Sequence, residues 1–304
     1  MILNVVNNEA HSRDNTHPKR YRVALSIAGS DSSGGAGIQA DLKTFSSLGI
    51  YGASAITAIT AQNTVGVHSQ YALPRTVVYD QIIAVMEDLH PSVVKIGMLS
   101  NAEIANSVAD VLERYDVPIV LDPVVVSTSG HRLLSTEALD VVKCRLLPMA
   151  TVITPNIPEM EALTMMPLAT ISEKLEAARH LISLGAHAVL LKGGHEKGDV
   201  KMDILCQPAN GDIAAAYLSS PTILTRNTHG TGCTLSSAVA AYIALGHDLD
   251  SAVRGAKEYV SRAIESGADV CIGSGNGPVN HLFNPVKMSI YEEQKLSIAV
   301  YYSL

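Results

Sequence analysis

The sequence has no tryptophan, only two phenylalanines and four cysteines among its 304 residues. Each shortage excludes something. Without large rings, the core must be assembled from Ala, Val, Ile and Leu, the composition of helices packed on a parallel sheet buried on both faces. Cys144, Cys206, Cys233 and Cys271 lie far apart and form no C-x-x-C, so neither a zinc site nor a disulfide framework is indicated. A reducing cytoplasm is the expected setting. No uninterrupted apolar run reaches about 18 residues, which excludes a membrane-spanning helix. Basic residues are not in excess either: the net charge is −7, which argues against nucleic acid as a partner. What the chain does have is aliphatic content. It is 47% hydrophobic with a mean hydropathy of +0.20, ample for a folded core.

Residues 1–20 carry Glu9 and Asp14 and no apolar stretch after a basic start, so they read as a flexible extension and not as a targeting segment. From Tyr21 onward, short β-rich runs alternate with helical patterns. Val23–Ala28, Val93–Ile96, Ile119–Leu121, Val152–Ile153 and Ala188–Leu191 read as strands. Ile38, Leu42, Phe45 and Leu48 recur at helical spacing, and Asn101–Tyr115, 135–147, 172–184, 232–245 and 249–267 read as further helices. Such alternation implies right-handed βαβ crossovers and a mostly parallel sheet within one domain. Each of the five strand runs ends in glycine or polar residues: Gly29, Gly97-Met98, Asp122-Pro123, Thr154-Pro155-Asn156 and Lys192-Gly193-Gly194. Parallel strands would put all five ends on one edge of the sheet, where open α/β folds bind ligands.

Three constellations carry chemistry. The stretch Gly29-Ser30-Asp31-Ser32-Ser33-Gly34-Gly35-Ala36-Gly37 lies between a strand and a helix, where glycines let backbone approach a ligand and expose amide N–H groups. It lacks the Lys-Ser/Thr of a Walker loop. A dinucleotide fingerprint is also weak, because no Asp or Glu occurs between Asp41 and Asp80 to hold a ribose. The second stretch, Asn227–Thr234, contains Gly230-Thr231-Gly232 directly before a helix, so successive amides and the helix dipole can face one phosphate. Cys233, in the first turn of that helix, is expected to have a lowered pKa and to accept a proton from an attacking hydroxyl. The plainer alternative is a small buried hydrophobe, the reading given to the other three cysteines. The third set is Asp122, Asn156-x-x-Glu159 and Lys192. Its oxygens suit Mg²⁺ held largely through water, and Lys192 suits a polyphosphate. Glu159 can equally serve as a helix N-terminal carboxylate.

Taken together these stretches resemble the hydroxymethylpyrimidine/phosphomethylpyrimidine kinases, a branch of the ribokinase-like superfamily. The resemblance rests on Ala28–Asp31, Gly34–Asp41, Thr60-Ala61-Gln62-Asn63-Thr64, Lys95–Leu99, Leu121–Val124, Thr154–Asn156, Leu191–His195, Asn227–Ser236 and Gly277–His281, in order along the chain. It implies a three-layer α/β/α sandwich without a separate lid domain, spanning 21–284 and followed by an extension at 285–304. It also implies ATP-dependent phosphorylation of 4-amino-5-hydroxymethyl-2-methylpyrimidine and then of its monophosphate, with Mg²⁺, in a cytoplasmic homodimer. By the same resemblance Gln62 meets the pyrimidine edge, and Gly29, Ala36, Asp41, Met98 and Val125 line its pocket. Asp122, Asn156, Glu159 and Lys192 surround metal and phosphates, Gly230, Thr231 and Gly232 cradle the transferred group, and Cys233 stands where sugar kinases of the superfamily carry an Asp base. A pyridoxal (vitamin B6) kinase is the nearest alternative. A nucleotide-binding regulator without turnover and a dinucleotide oxidoreductase are more distant ones.

Overall fold

The structure, a computed structural model, describes residues 19–125, 133–194 and 198–292. The chain begins with β1 (Lys19–Tyr21), β2 (Val23–Asp31), α1 (Gly37–Ser47), β3 (Tyr51–Gln62), β4 (Val67–Ala72), α2 (Arg75–Leu89) and β5 (Val93–Ile96). It continues with α3 (Ala102–Leu112), β6 (Ile119–Leu121), α4 (Thr136–Val141), β7 (Val152–Ile153), α5 (Ile157–Thr164), α6 (Ile171–Ser183) and β8 (Val189–Leu191). Last come β9 (Val200–Ala209), β10 (Asp212–Pro221), α7 (Thr231–Ala244), α8 (Leu249–Ser266) and β11 (Ile290–Glu292).

Nine strands form one sheet in the order β10-β9-β8-β7-β6-β5-β2-β3-β4. The six from β8 to β3 run parallel, while β4 and the β9–β10 hairpin add antiparallel edges. Strand periodicity divides the core in two. Val94, Ile119, Leu121 and Ile153 face the side covered by α2 to α6. Their neighbours Val93, Val120 and Val152 face the side covered by α1, α7 and α8. The result is the α/β/α sandwich that the scarcity of aromatics and the continuous aliphatic strand runs imply.

Chain order reverses around β2, which pairs with β3 on one side and β5 on the other. A crevice opens at such a switch point beyond the strand ends. The strand ends anticipated from the sequence point to that edge, because each pairing from β2 through β8 is parallel, although β2 runs on past the expected end at Gly29 to Asp31. The segment 285–292, assigned to an extension, runs back over the start of the fold. Val286 N–H donates to Ser47 O, Ser289 N–H to Gly49 O, and β11 pairs antiparallel with β1. Residues 1–18, His195 and the tail beyond Glu292 lie outside the described residues. Cys206 is buried, as expected of a packing residue, but Cys144 and Cys271 are exposed and do not pack.

Candidate active site

The site is built from the ends of strands and the starts of helices. At the end of β2, the Asp31 carboxylate folds the glycine-rich loop onto itself. One oxygen accepts the Ser33 amide and hydroxyl at 2.8 and 2.7 Å, and the other accepts the Gly35 and Ala36 amides at 3.1 and 2.8 Å. His229 Nε2 meets that second oxygen at 2.8 Å from the far side of the site. Burial alone would raise the Asp31 pKa, but the bonds from His229, Ser33 and Ala36 outweigh it and lower it to about 2. The loop was expected to offer these amides to a ligand. They are instead taken by Asp31.

That stretch caps α7. Gly230 is the N-cap with φ +78°, and a Cβ there would overlap the Gly35 carbonyl, so both conformation and space demand glycine. The amides of Gly232 and Cys233 follow in the first turn, where a helix has no acceptor of its own for them. Cys233 is partly accessible from the cleft, and its sulfur receives the Gly37 amide. Its expected low pKa is not what the structure shows. Burial pushes the thiol up to about 11, against the favourable field of the Lys95 ammonium. A helix N-terminus contributes partial charges, and at this depth the loss of water costs the thiolate more than they return.

Beneath the thiol, Lys95 on β5 and Asp41 on α1 form an ion pair of 2.9 Å, both with no exposed surface. Asp41 also accepts the hydroxyls of Ser26 and Ser237 at 2.5 and 2.7 Å. This corrects the expectation that Asp41 lines a substrate pocket. It faces inward, one turn below the α1 start, and its partner Lys95 is the residue that reaches the cleft wall. Burial would lower the Lys95 pKa, but Asp41 holds the ammonium well above its ordinary value.

At the ends of β6, β7 and β8, Lys192 Nζ lies 2.8 Å from Asp122 Oδ1 and 3.7 Å from Glu159 Oε2. Thr154 and Ser236 hydroxyls donate to Asp122 at 3.1 Å each. Burial works against the Asp122 charge, yet Lys192 and Lys95 keep its pKa below the ordinary carboxylate range. Burial raises Glu159 to about 7, with Lys192 opposing and Asp122 adding to the rise. The helix N-terminal reading of Glu159 holds in geometry. It closes a capping box with Asn156 through bonds of 2.8 and 2.9 Å and still lines the cleft.

One cleft of about 490 Å³ joins these parts. Gln62, Gly29, Ala36, Met98 and Val125 line it, as do Asp122, Asn156, Glu159, Lys192 and Gly230 to Cys233. Sequence reasoning did not single out Asp31, His229 and Lys95, nor the Lys257–Asp203 ion pair of 2.7 Å in the cleft wall. Asp31 and His229 stand inside the quoted glycine stretches, so their motifs were visible but their contact across 198 positions was not.

The sequence profile of the family described as phosphomethylpyrimidine kinase matches residues 31–280. The hydroxymethylpyrimidine/phosphomethylpyrimidine kinase of Rhizobium meliloti (strain 1021) is 49% identical over 262 residues, covering 85% of this chain and 96% of that protein. Among solved structures, phosphomethylpyrimidine kinase from Clostridium difficile 630 has a TM-score of 0.69 at 43% identity, covering 80% of this chain and 99% of that one. The pyridoxal kinase from Staphylococcus aureus in complex with AMP-PCP and pyridoxal has a TM-score of 0.79 at 32% identity, covering 90% and 99%.

Proposed function

We propose, from the premise that the chain belongs to the phosphomethylpyrimidine kinase family, that its cleft transfers the γ-phosphoryl group of ATP to 4-amino-5-hydroxymethyl-2-methylpyrimidine. The resulting monophosphate is its second substrate. The observation that carries this reading is the single cleft onto which Gln62, Cys233 and Lys192 all open. Gln62 offers a donor and an acceptor to an aminopyrimidine edge. Gly29, Ala36, Met98 and Val125 supply the close, mostly apolar walls that a flat ring needs. The Gly232 and Cys233 amides and the Lys192 ammonium face the charge that spreads over phosphoryl oxygens during transfer, while the Thr231 amide, part of the expected cradle from Gly230 to Gly232, already donates to Thr228 O at 3.3 Å. The alcohol oxygen bonds to the γ-phosphorus, the bond to the ADP oxygen breaks, and the hydroxyl proton passes to Cys233 Sγ once that sulfur has released its own proton and stands as a thiolate.

Mg²⁺ suits the donor set. Asp122 and Glu159 flank Lys192, and an ion that keeps most of its waters needs only one or two carboxylates beside the substrate phosphates. When bound, it neutralises charge on those phosphates. We also assign the enzyme to the cytoplasm as a homodimer. Exposed Ile59, Val65 and Tyr71 on and between β3 and β4 offer an apolar surface to a second copy, and light scattering after gel filtration gives the mass.

Release of ADP on adding the pyrimidine alcohol, then its monophosphate, tests the main reading; no release with either overturns it. The second reading, a pyridoxal kinase, is favoured by the fold shared with the Staphylococcus aureus enzyme. Direct competition between the two alcohols separates them, and faster turnover of pyridoxal would reverse the ranking.

A further inference from the structure

The reading of the site as a pyrimidine-alcohol kinase, on which this inference rests, leaves open which way round the Gln62 amide presents itself. In the structure its Nε2 lies 3.3 Å from His229 Nε2 and its Oε1 lies 3.2 Å from Thr60 Oγ1. Both contacts are mismatched in hydrogens. The ionised Asp31 carboxylate can only accept, so His229 Nε2 carries a hydrogen and donates it to Oδ2 at 2.8 Å. A Gln62 N–H cannot point at that same N–H. On the other side, the Thr60 hydroxyl gives its one hydrogen to Ser30 O at 2.8 Å, the shorter of its two contacts. Toward Gln62 it therefore turns a lone pair.

Half a turn of the amide about its terminal bond repairs both contacts together. Gln62 Oε1 then shares the His229 Nε2–H with Asp31, and Gln62 Nε2–H donates to Thr60 Oγ1. One N–H and one Oε1 lone pair remain free, and their order along the edge is set by the neighbours. We infer that the Asp31–His229 pair and the Thr60–Ser30 hydrogen bond lock the Gln62 amide in one orientation, and that this lock makes the site select a 4-aminopyrimidine over its 4-oxo analogue.

The chemistry of the two rings supplies the discrimination. A 4-aminopyrimidine presents a donor at its exocyclic nitrogen and an acceptor at the adjacent ring nitrogen. The 4-oxo ring presents an acceptor and then an N–H, the reverse order. An amide free to turn would match either; a locked amide matches one and meets the other with like groups opposed. His229 and Thr60 act here as positioning residues, and neither has to touch the substrate.

The test compares kcat/KM, by ADP release from ATP and Mg²⁺, for 4-amino-5-hydroxymethyl-2-methylpyrimidine and its 4-oxo counterpart. The wild type prefers the amino ring by roughly 10- to 100-fold, the range of one bidentate contact. Thr60→Val keeps the shape but returns no lone pair to Gln62, and His229→Phe keeps a ring without the Nε2–H. Each narrows the preference by about tenfold, the worth of one hydrogen bond, mainly through KM. Thr60→Ser retains the hydroxyl and the preference. The two variants break separate halves of the lock, so either alone decides the matter should the other melt below the assay temperature. The lock is refuted if kcat/KM for both rings falls in the same proportion in Thr60→Val and His229→Phe, as a purely structural role would cause. A wild type that turns over neither ring overturns the kinase reading and the lock with it, and that failure is visible before any variant is made.

Discussion

A thiol held near pKa 11 is an unusual choice for the proposed base, and the pH dependence that the proposal entails can be worked out in advance. Burial is what raises Cys233, and Lys95 only partly offsets it. At pH 8 the thiolate then amounts to about one part in a thousand, since each unit below the pKa is a factor of ten. If proton uptake by Sγ limits the chemical step, kcat climbs about tenfold per pH unit from 7 to 9, with no plateau below pH 10. Replacing the thiol by a carboxylate, Cys233→Asp, supplies a base already ionised over that range, so its profile is flat. Cys233→Ala removes the acceptor and lowers kcat by ~10²–10⁴ without a comparable change in pyrimidine affinity. The measurement is single-turnover phosphate transfer with saturating ATP, which keeps Glu159, raised to about 7 in the neighbouring cluster, out of the substrate-binding step. A wild-type profile as flat as that of Cys233→Asp would show that Sγ does not take the proton as a free thiolate. Unchanged turnover in Cys233→Ala would reduce the residue to packing.

Three further outcomes follow from the buried polar groups. Lys95→Met strands the Asp41 charge without exposed surface and costs about 3–5 kcal/mol in a urea melt, while Lys95→Met with Asp41→Leu recovers most of it; a single variant within 1 kcal/mol of wild type, at about the noise of such melts, would contradict this. His281 is lowered to about 4, by burial first and then by Lys43 and His229, so the unfolded chain binds a proton the folded one refuses between pH 6.5 and 4. Its contribution is complete above pH 6.5 and declines as the pH falls toward 4, by roughly 3 kcal/mol over the whole window. His281→Gln therefore flattens the fall in urea midpoint across that range, and an equal fall in both proteins would refute the assignment. Gly230→Ala drives a Cβ into the Gly35 carbonyl from a left-handed backbone, so ADP release is lost at a melting temperature that drops by only a few degrees; retained turnover would mean the α7 cap is not the phosphate cradle.

How much of this was legible beforehand depends on what kind of interaction placed each residue. The strands β2 and β5 to β8 are buried on both faces, so their aliphatic runs stand out with no neighbour in view. β3 is as long as any strand in the sheet, yet its Ala, Gly, Ser and Thr residues carry no such run. The β9–β10 hairpin did have a local signal. Asn210 and Gly211 both take positive φ, 48° and 84°, the backbone that an Asn-Gly turn between two strands requires. The site divides the same way. Glycines that admit a close backbone approach are short-range facts, and they led to the cleft. Asp41 was misassigned because a helix start beside a pocket has an inward and an outward face, and only the Lys95 side chain on β5 decides between them. Cys233 shows the same limit in its energetics. The rule that a helix N-terminus acidifies a thiol is local, whereas the water removed from around the sulfur depends on Gly37, Lys95 and the whole cleft wall. Placement of reactive groups at strand ends is therefore readable from the chain, while their protonation is set by contacts that exist only once α1, α7 and β5 have met.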